Sequence, residues 1–134
     1  MSLQHVCQVA SQCVAVVTIV HRDGVIYCKP TDSTEAHAHL RALSGDTHTV
    51  TTGVAVRVDT TIHTFHVDTN VRIRTLTDQE IHAYIQSGEP FGKAGGYAIQ
   101  GAGGALVAGI DGSWTNVMGL PLSETLNAIE RLSP

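Results

Sequence analysis

Residues 50 to 58 read Val-Thr-Thr-Gly-Val-Ala-Val-Arg-Val, with Val50, Thr52, Val54, Val56 and Val58 at every second position. Side chains two apart share a face in extended backbone, so the run predicts a strand. Asp59-Thr60 turns the chain and Ile62 to Val67 returns, with β character continuing from Asn70 to Thr75. Val14 to Val20 is almost continuously apolar and β-branched, which reads as a buried strand. Asp23-Gly24 is a turn signal after it, and Val25-Ile26-Tyr27 is a short returning strand.

Helices are marked between the strands. Asp32 with Glu35 three residues on, and Thr77 with Glu80, each have the form of a capping box. Ala36, Leu40 and Leu43 follow the first at helical spacing, and Gly45 is placed to stop that helix. Ile81, Tyr84 and Ile85 form the apolar face after the second, which Gly88 and Pro90 end. Further on, Ala105 to Ile110 and Trp114 to Met118 are expected as a hairpin across Asp111-Gly112. Ser123 is expected to cap a last helix with Leu126, Ile129 and Leu132 inward. Strands interleaved with helices predict an α/β or α+β domain with a mixed sheet.

At 134 residues the chain is long enough for one domain with a real core. Its net charge of −4 argues against nonspecific nucleic-acid binding, which needs a basic surface. No run of 18 apolar residues is present, so no membrane span is expected. Met1 to Cys13 lacks the basic start and apolar centre of a secretory signal. Three cysteines without close paired spacing suit a reducing cytoplasm better than a disulfide scaffold. The spacing of His5, Cys7 and Cys13 fits no common zinc site. His37 and His39, like His63 and His66, point to different sides of their elements, which disfavours either as a metal pair.

The chemically suggestive stretch is Gly88 to Gly101, with five glycines, one lysine and one glutamine in fourteen residues. Glycines let backbone approach a ligand closely. A cation and an amide between such turns can bind a phosphate and read a base edge. A Gly-rich loop joining a helix to a strand has the same composition, and alone it is weak evidence.

That stretch, GEP-x-x-KAGGYAIQG, closely resembles a signature of the Maf family of nucleoside triphosphate pyrophosphatases. Leu43 to Ala55 resembles the family's LSG-x-TH-x-V-x-TGVA, and Asp111 to Leu122 its G-x-x-x-NV-x-GLPL. Cys28-Lys29-Pro30 stands where the family usually has Gly-Lys-Pro. The motifs run in order over roughly residues 14–132. The resemblance implies hydrolysis of a nucleoside triphosphate to the monophosphate and pyrophosphate, with magnesium held by carboxylates and phosphates. It implies phosphate contacts for Lys29 and Lys93, and base selection for Gln100 and Thr18. The KAGGY-x-IQG form and Thr18 resemble the branch acting on dTTP and UTP.

The departures are equally specific. Counting back from Lys29-Pro30, the family's Ala-Asp-Thr falls on Val16-Val17-Thr18. The position of the family's catalytic aspartate, its general base and metal ligand, is therefore Val17, and valine can neither take a proton nor bind a cation. Gly92 stands where the family usually has aspartate. The family's opening LAS-x-SPRR segment and the glutamate after it find no counterpart. The expected fold is accordingly a Maf/inosine-triphosphatase-like mixed sheet flanked by helices, without its first strand and helix. Residues 1–13 form an unmatched N-terminal segment and residues 14–134 a single Maf-like domain.

Three functional readings follow: a dTTP/UTP pyrophosphatase impaired by the loss at Val17, an inactive nucleotide-binding relative, or a structural protein dimerising through an exposed sheet edge. The sequence does not give the oligomeric state; homodimers are common among soluble proteins, which makes a homodimer a candidate assembly.

Overall fold

A computed structural model of the chain describes residues 5–9 and 11–133, with side chains described from residue 11 onward. In chain order the elements are β1 (His5–Val9), β2 (Gln12–Arg22), β3 (Val25–Tyr27), α1 (Ser33–Leu43), β4 (Thr47–Val58), β5 (Thr61–Ile73), α2 (Asp78–Gln86), β6 (Val107–Asp111), α3 (Trp114–Met118) and α4 (Leu122–Leu132). Two 3-10 turns, Ala94–Gly96 and Ala102–Leu106, lie between α2 and β6.

The strands form one sheet in the order β1-β2-β4-β5-β6, with β3 on β2. The α/β character matches expectation, with helices packed against a sheet. The described pairings are all antiparallel, however, not mixed. Parallel neighbours need a crossover. Here the turns at Asp23-Gly24 and Asp59-Thr60 close hairpins, and α1 brings β4 back against β2 in the opposite sense. β1 pairs along β2 from His5↔Val16 to Val9↔Gln12, in a stretch with no strand pattern of its own. The backbone of β2 recruits it.

Both helix starts marked in the sequence are present. Asp32 accepts from the Glu35 amide at 2.8 Å, and Thr77 with Glu80 makes a full reciprocal capping box. Two other expectations are corrected. Residues 114–118 are helix α3, not a returning strand. Ser113 accepts from the Asn116 amide at 3.1 Å, capping the turn, and Gly119 ends it in a left-handed conformation. The last helix starts at Leu122, with Pro121 and not Ser123 at its N-cap. Ile129 and Leu132 pack, partly buried, against the core as expected, but Leu126 is 55% exposed and the fully buried residues are Thr125 and Ala128.

One face of the sheet carries the core, in two clusters. Val20, Val50, Val71 and Ile73 pack with Leu40 and Leu43 of α1 and Ile81 and Tyr84 of α2. Val16, Val54, Val56 and Val58 pack with Ala128 of α4. Between them runs a buried polar seam. Thr18 pairs with Thr52 across β2 and β4, their hydroxyls 2.9 Å apart. Asn116 of α3 drops onto it, its amide nitrogen donating to the carbonyls of Val50 and Val67 and to the Thr69 hydroxyl. Buried polar groups must be paired, and this pairing fixes α3 over the middle of the sheet.

Candidate functional site

At that seam a cleft of about 210 Å³ opens. Four of the five positions singled out in the sequence come together around it: Thr18 from β2, Lys29 from the loop after β3, and Lys93 and Gln100 from the Gly-rich stretch. These residues are up to 82 positions apart in the chain (100 minus 18), so only the fold brings them to one place.

Thr18 forms the floor. Its hydroxyl lies 3.3 Å from the Gly119 carbonyl and 2.9 Å from Thr52. A hydroxyl has one proton and two lone pairs. With its proton directed to the Gly119 carbonyl and Thr52 beside it, the Thr18 hydroxyl is fixed in orientation at the base of the cleft. Lys29, Lys93 and Gln100 are exposed at the mouth. No ion pair among the described residues engages either lysine.

The Gly-rich stretch is held on both flanks. Tyr97, part of the cleft wall, has its hydroxyl 2.6 Å from His48 Nε2 in β4. Burial chiefly, with the nearby charges of Arg22 and His21, lowers the His48 pKa to about 4, so the ring is neutral near pH 7. Burial also raises the Tyr97 phenol above its ordinary range. On the other flank, Glu89 accepts from the Tyr84 hydroxyl at 2.6 Å and from the amides of Gly103 at 2.8 Å and Ala102 at 3.0 Å. The Tyr84 hydroxyl foremost, helped by those amides and by Lys93, holds the Glu89 carboxyl below the usual carboxylate range against its desolvation. Gly95 allows the turn between, with φ of 75° and a neighbour, Val20, at 3.0 Å from any added Cβ.

Val17 does not line the cleft. Val16, Thr18 and Val20 are buried on the core face of β2, and alternation turns Val17 to the opposite face, where its pair is Gly53. A carboxylate at position 17 would stand across the sheet from Lys29, Lys93 and Gln100. Asp111 lies at the end of β6, beside Asn70 and Arg72 and away from the cleft lining.

The implied magnesium does not fit the residues present. The cleft lining contains no carboxylate, and no group of three or more His, Cys, Asp or Glu among the described residues is placed to hold a metal ion. Of the N-terminal trio, the side chains of His5 and Cys7 lie outside the described residues, and Cys13 is a free thiol. His37 does approach His82, with ring centroids 5.2 Å apart, but Asp78 beside them is bonded by Arg41.

Sequence reasoning missed the wall supplied by α3. Val117, Met118 and Gly119 line the same cleft as Lys93. Their signal was the NV-x-GLPL motif, whose asparagine anchors the helix to the sheet. It also missed Tyr84 and Glu89, although Glu89 belongs to the GEP motif.

Comparison with known proteins bears on this arrangement. The profile of the family described as "Maf-like protein" matches residues 2–132. A dTTP/UTP pyrophosphatase of Syntrophotalea carbinolica is 51% identical over 117 residues, covering 86% of this chain and 53% of that protein. One from Aliivibrio fischeri is 53% identical over 108 residues, covering 81% and 56%. One from Bacillus pumilus is 47% identical over 113 residues, covering 84% and 60%. The chain thus spans a little over half the length of the curated relatives it matches. With its motifs converging on a single cleft and its sequence matched from residue 2 to residue 132, this chain belongs to the Maf family.

Proposed function

We propose that the cleft binds a pyrimidine nucleoside triphosphate, and that the activity this chain derives from is hydrolysis of dTTP or UTP to the monophosphate and pyrophosphate. The observation that carries this reading is the convergence of Lys29, Lys93, Gln100 and Thr18 on one cleft. Two ammonium groups at the mouth suit a polyphosphate. An amide that can both donate and accept, beside a hydroxyl at the base of the same cleft, suits the edge of a pyrimidine. The names of the similar proteins point the same way.

Within this reading, turnover by the chain itself is weak. Phosphoryl transfer rests on positioning and charge stabilisation. The cleft offers cations and an amide, but no carboxylate to take a proton from water or to hold magnesium. Its volume is also below the roughly 300–1,000 Å³ usual for a ligand pocket, which fits a site that grips part of its ligand. That favours nucleotide binding over rapid hydrolysis as this chain's own role.

The same reading assigns free nucleotide, not nucleic acid, as the ligand, in keeping with the net charge of −4. No helix among the described residues is long and apolar enough to cross a membrane. The cytoplasm, where nucleoside triphosphates are plentiful, is the compartment we assign. A homodimer is supported by the edge of β5 over residues 61–66, which pairs with no second strand among the described residues.

Calorimetric titration with UTP, dTTP and CTP, beside pyrophosphate release with magnesium, tests the proposal. Binding of UTP and dTTP in preference to CTP, with release near background, is the expected result. No binding of any nucleotide overturns the reading. Rapid release overturns the claim of weak turnover and requires a carboxylate outside the cleft lining. Val17→Asp is expected to restore little, because its side chain emerges on the far face of β2.

A further inference from the structure

Gln100 is exposed, yet its neighbours in the chain are not free to move. Two residues before it, the Ala98 amide donates to the Tyr84 hydroxyl at 3.0 Å. Two and three residues after it, the amides of Ala102 and Gly103 donate to Glu89. The Tyr84 hydroxyl in turn donates to Glu89 at 2.6 Å. Four hydrogen bonds thus close a cage in which one carboxylate and one phenol hold the backbone on both sides of Gln100.

The glycines confirm how close this approach is. A Cβ on Gly101 would meet Glu89 Oε2 at 2.4 Å, and one on Gly103 would meet the Tyr84 hydroxyl at 2.5 Å. Both distances are far inside contact, so only glycine lets the two side chains reach the backbone. Neither Tyr84 nor Glu89 lines the cleft. Their shared product is the placement of the segment from Ala98 to Gly103 that carries Gln100.

We propose that Glu89 and Tyr84 are positioning residues for Gln100, setting base selectivity without touching the nucleotide. The inference rests on the reading of Gln100 as the base-contacting residue. Glu89 is the centre of the device because a carboxylate accepts at both oxygens. Three donors converge on it. A glutamine there keeps one acceptor oxygen and turns an NH2 group toward one of the donors, so at least one bond is replaced by a donor–donor contact.

The experiment is a calorimetric double-mutant cycle. Affinities for UTP, CTP and inorganic triphosphate are measured for the chain, Glu89→Gln, Gln100→Ala and the double variant. Glu89→Gln is expected to lower the UTP-to-CTP affinity ratio by about tenfold, the equivalent of one lost hydrogen bond. Triphosphate affinity should not fall, and the Glu89 effect should vanish in the Gln100→Ala background. Equal losses for all three ligands, or an undiminished effect in the double variant, overturn the proposal.

A separate readout distinguishes failure of this device from failure of the underlying reading. If Gln100→Ala leaves the ratio unchanged, the base-contact role of Gln100 falls, and selectivity control by Glu89 falls with it. The cage itself is then judged by amide hydrogen exchange. Glu89→Gln should accelerate exchange at Ala102 and Gly103 by about tenfold or more while β4 and β5 stay protected. Unchanged exchange refutes the cage. Should Glu89→Gln fail to fold, Tyr84→Phe provides the same test at Ala98, with a smaller change in the nucleotide ratio because Glu89 keeps its two amides.

Discussion

His48 Nε2 lies 2.6 Å from the Tyr97 hydroxyl, and this bond joins the middle of the sheet to the wall of the cleft. The pair is buried, its rings meeting edge to face at 5.5 Å between centroids. His48 Nδ1 has no partner among the described residues. A protonated ring would therefore place a charge and an unpaired donor in an apolar setting, which is costly.

Stability should fall on acidification through this residue. The unfolded His48 titrates near 6.5 and the folded one near 4. The unfolded state takes up the proton first, so the contribution is complete above pH 6.5, declines as pH falls, and is spent below about 4. The difference corresponds to on the order of 3 kcal/mol. Urea unfolding between pH 7 and pH 4.5 should show the decline, and His48→Phe should flatten it while lowering stability at pH 7. An unchanged slope in the variant would assign the acid sensitivity to other groups.

Gly95→Ala should destabilise the chain more than Gly92→Ala. Both glycines have positive φ, 75° and 80°, which costs a Cβ-bearing residue about 1–2 kcal/mol. Only at Gly95 does the added methyl also meet Val20, at 3.0 Å, adding about 1–3 kcal/mol of overpacking. Gly92 has nothing within 4 Å. Denaturant midpoints of the two variants decide the point, and equal losses would contradict the packing described here.

On the proposed function, Lys29→Ala and Lys93→Ala should each weaken UTP binding by about tenfold, the scale of one charge-assisted hydrogen bond. Both lysines are solvent-exposed, so the loss should shrink as salt is raised. The UTP-to-CTP ratio should stay the same, because phosphate contacts carry no information about the base. Calorimetry at low and high salt checks this, and a changed ratio would place a lysine at the base.

Leu126→Gln should be nearly neutral, within about 0.5 kcal/mol, since the side chain is largely exposed. Ala128→Leu should cost about 1–3 kcal/mol, because Ala128 is buried against Val16, Val54, Val56 and Val58. Thermal melts of the two variants test which face of α4 meets the sheet, and the reverse ranking would turn the helix over.

Local chemistry alone determined much of this protein. The alternation from Val50 to Val58 names a strand because extended backbone has a period of two. The Thr77–Glu80 capping box starts α2 because its groups lie within one turn. The motifs likewise identified the residues that gather at the cleft, since a motif preserves residues whose reason for being there is spatial.

What the tertiary structure decided is everything set by contacts between distant parts of the chain. Trp114 to Met118 has a composition compatible with a strand. It becomes helix because Asn116 bonds two sheet carbonyls, 66 and 49 residues away. Leu126, Ile129 and Leu132 share a helical spacing with each other, as Thr125, Ala128 and Leu132 do. Docking on β4 buried Thr125 and Ala128 and packed Ile129 and Leu132 beside them, leaving Leu126 of the first set exposed. The side of β2 on which Val17 stands depends on which face receives α1, α2 and α4. The cage around Gln100 depends on Glu89 reaching a backbone 13 and 14 residues further along. A sequence lists the groups, but their meeting is a property of the folded chain, because long-range contacts form only once packing brings distant segments together.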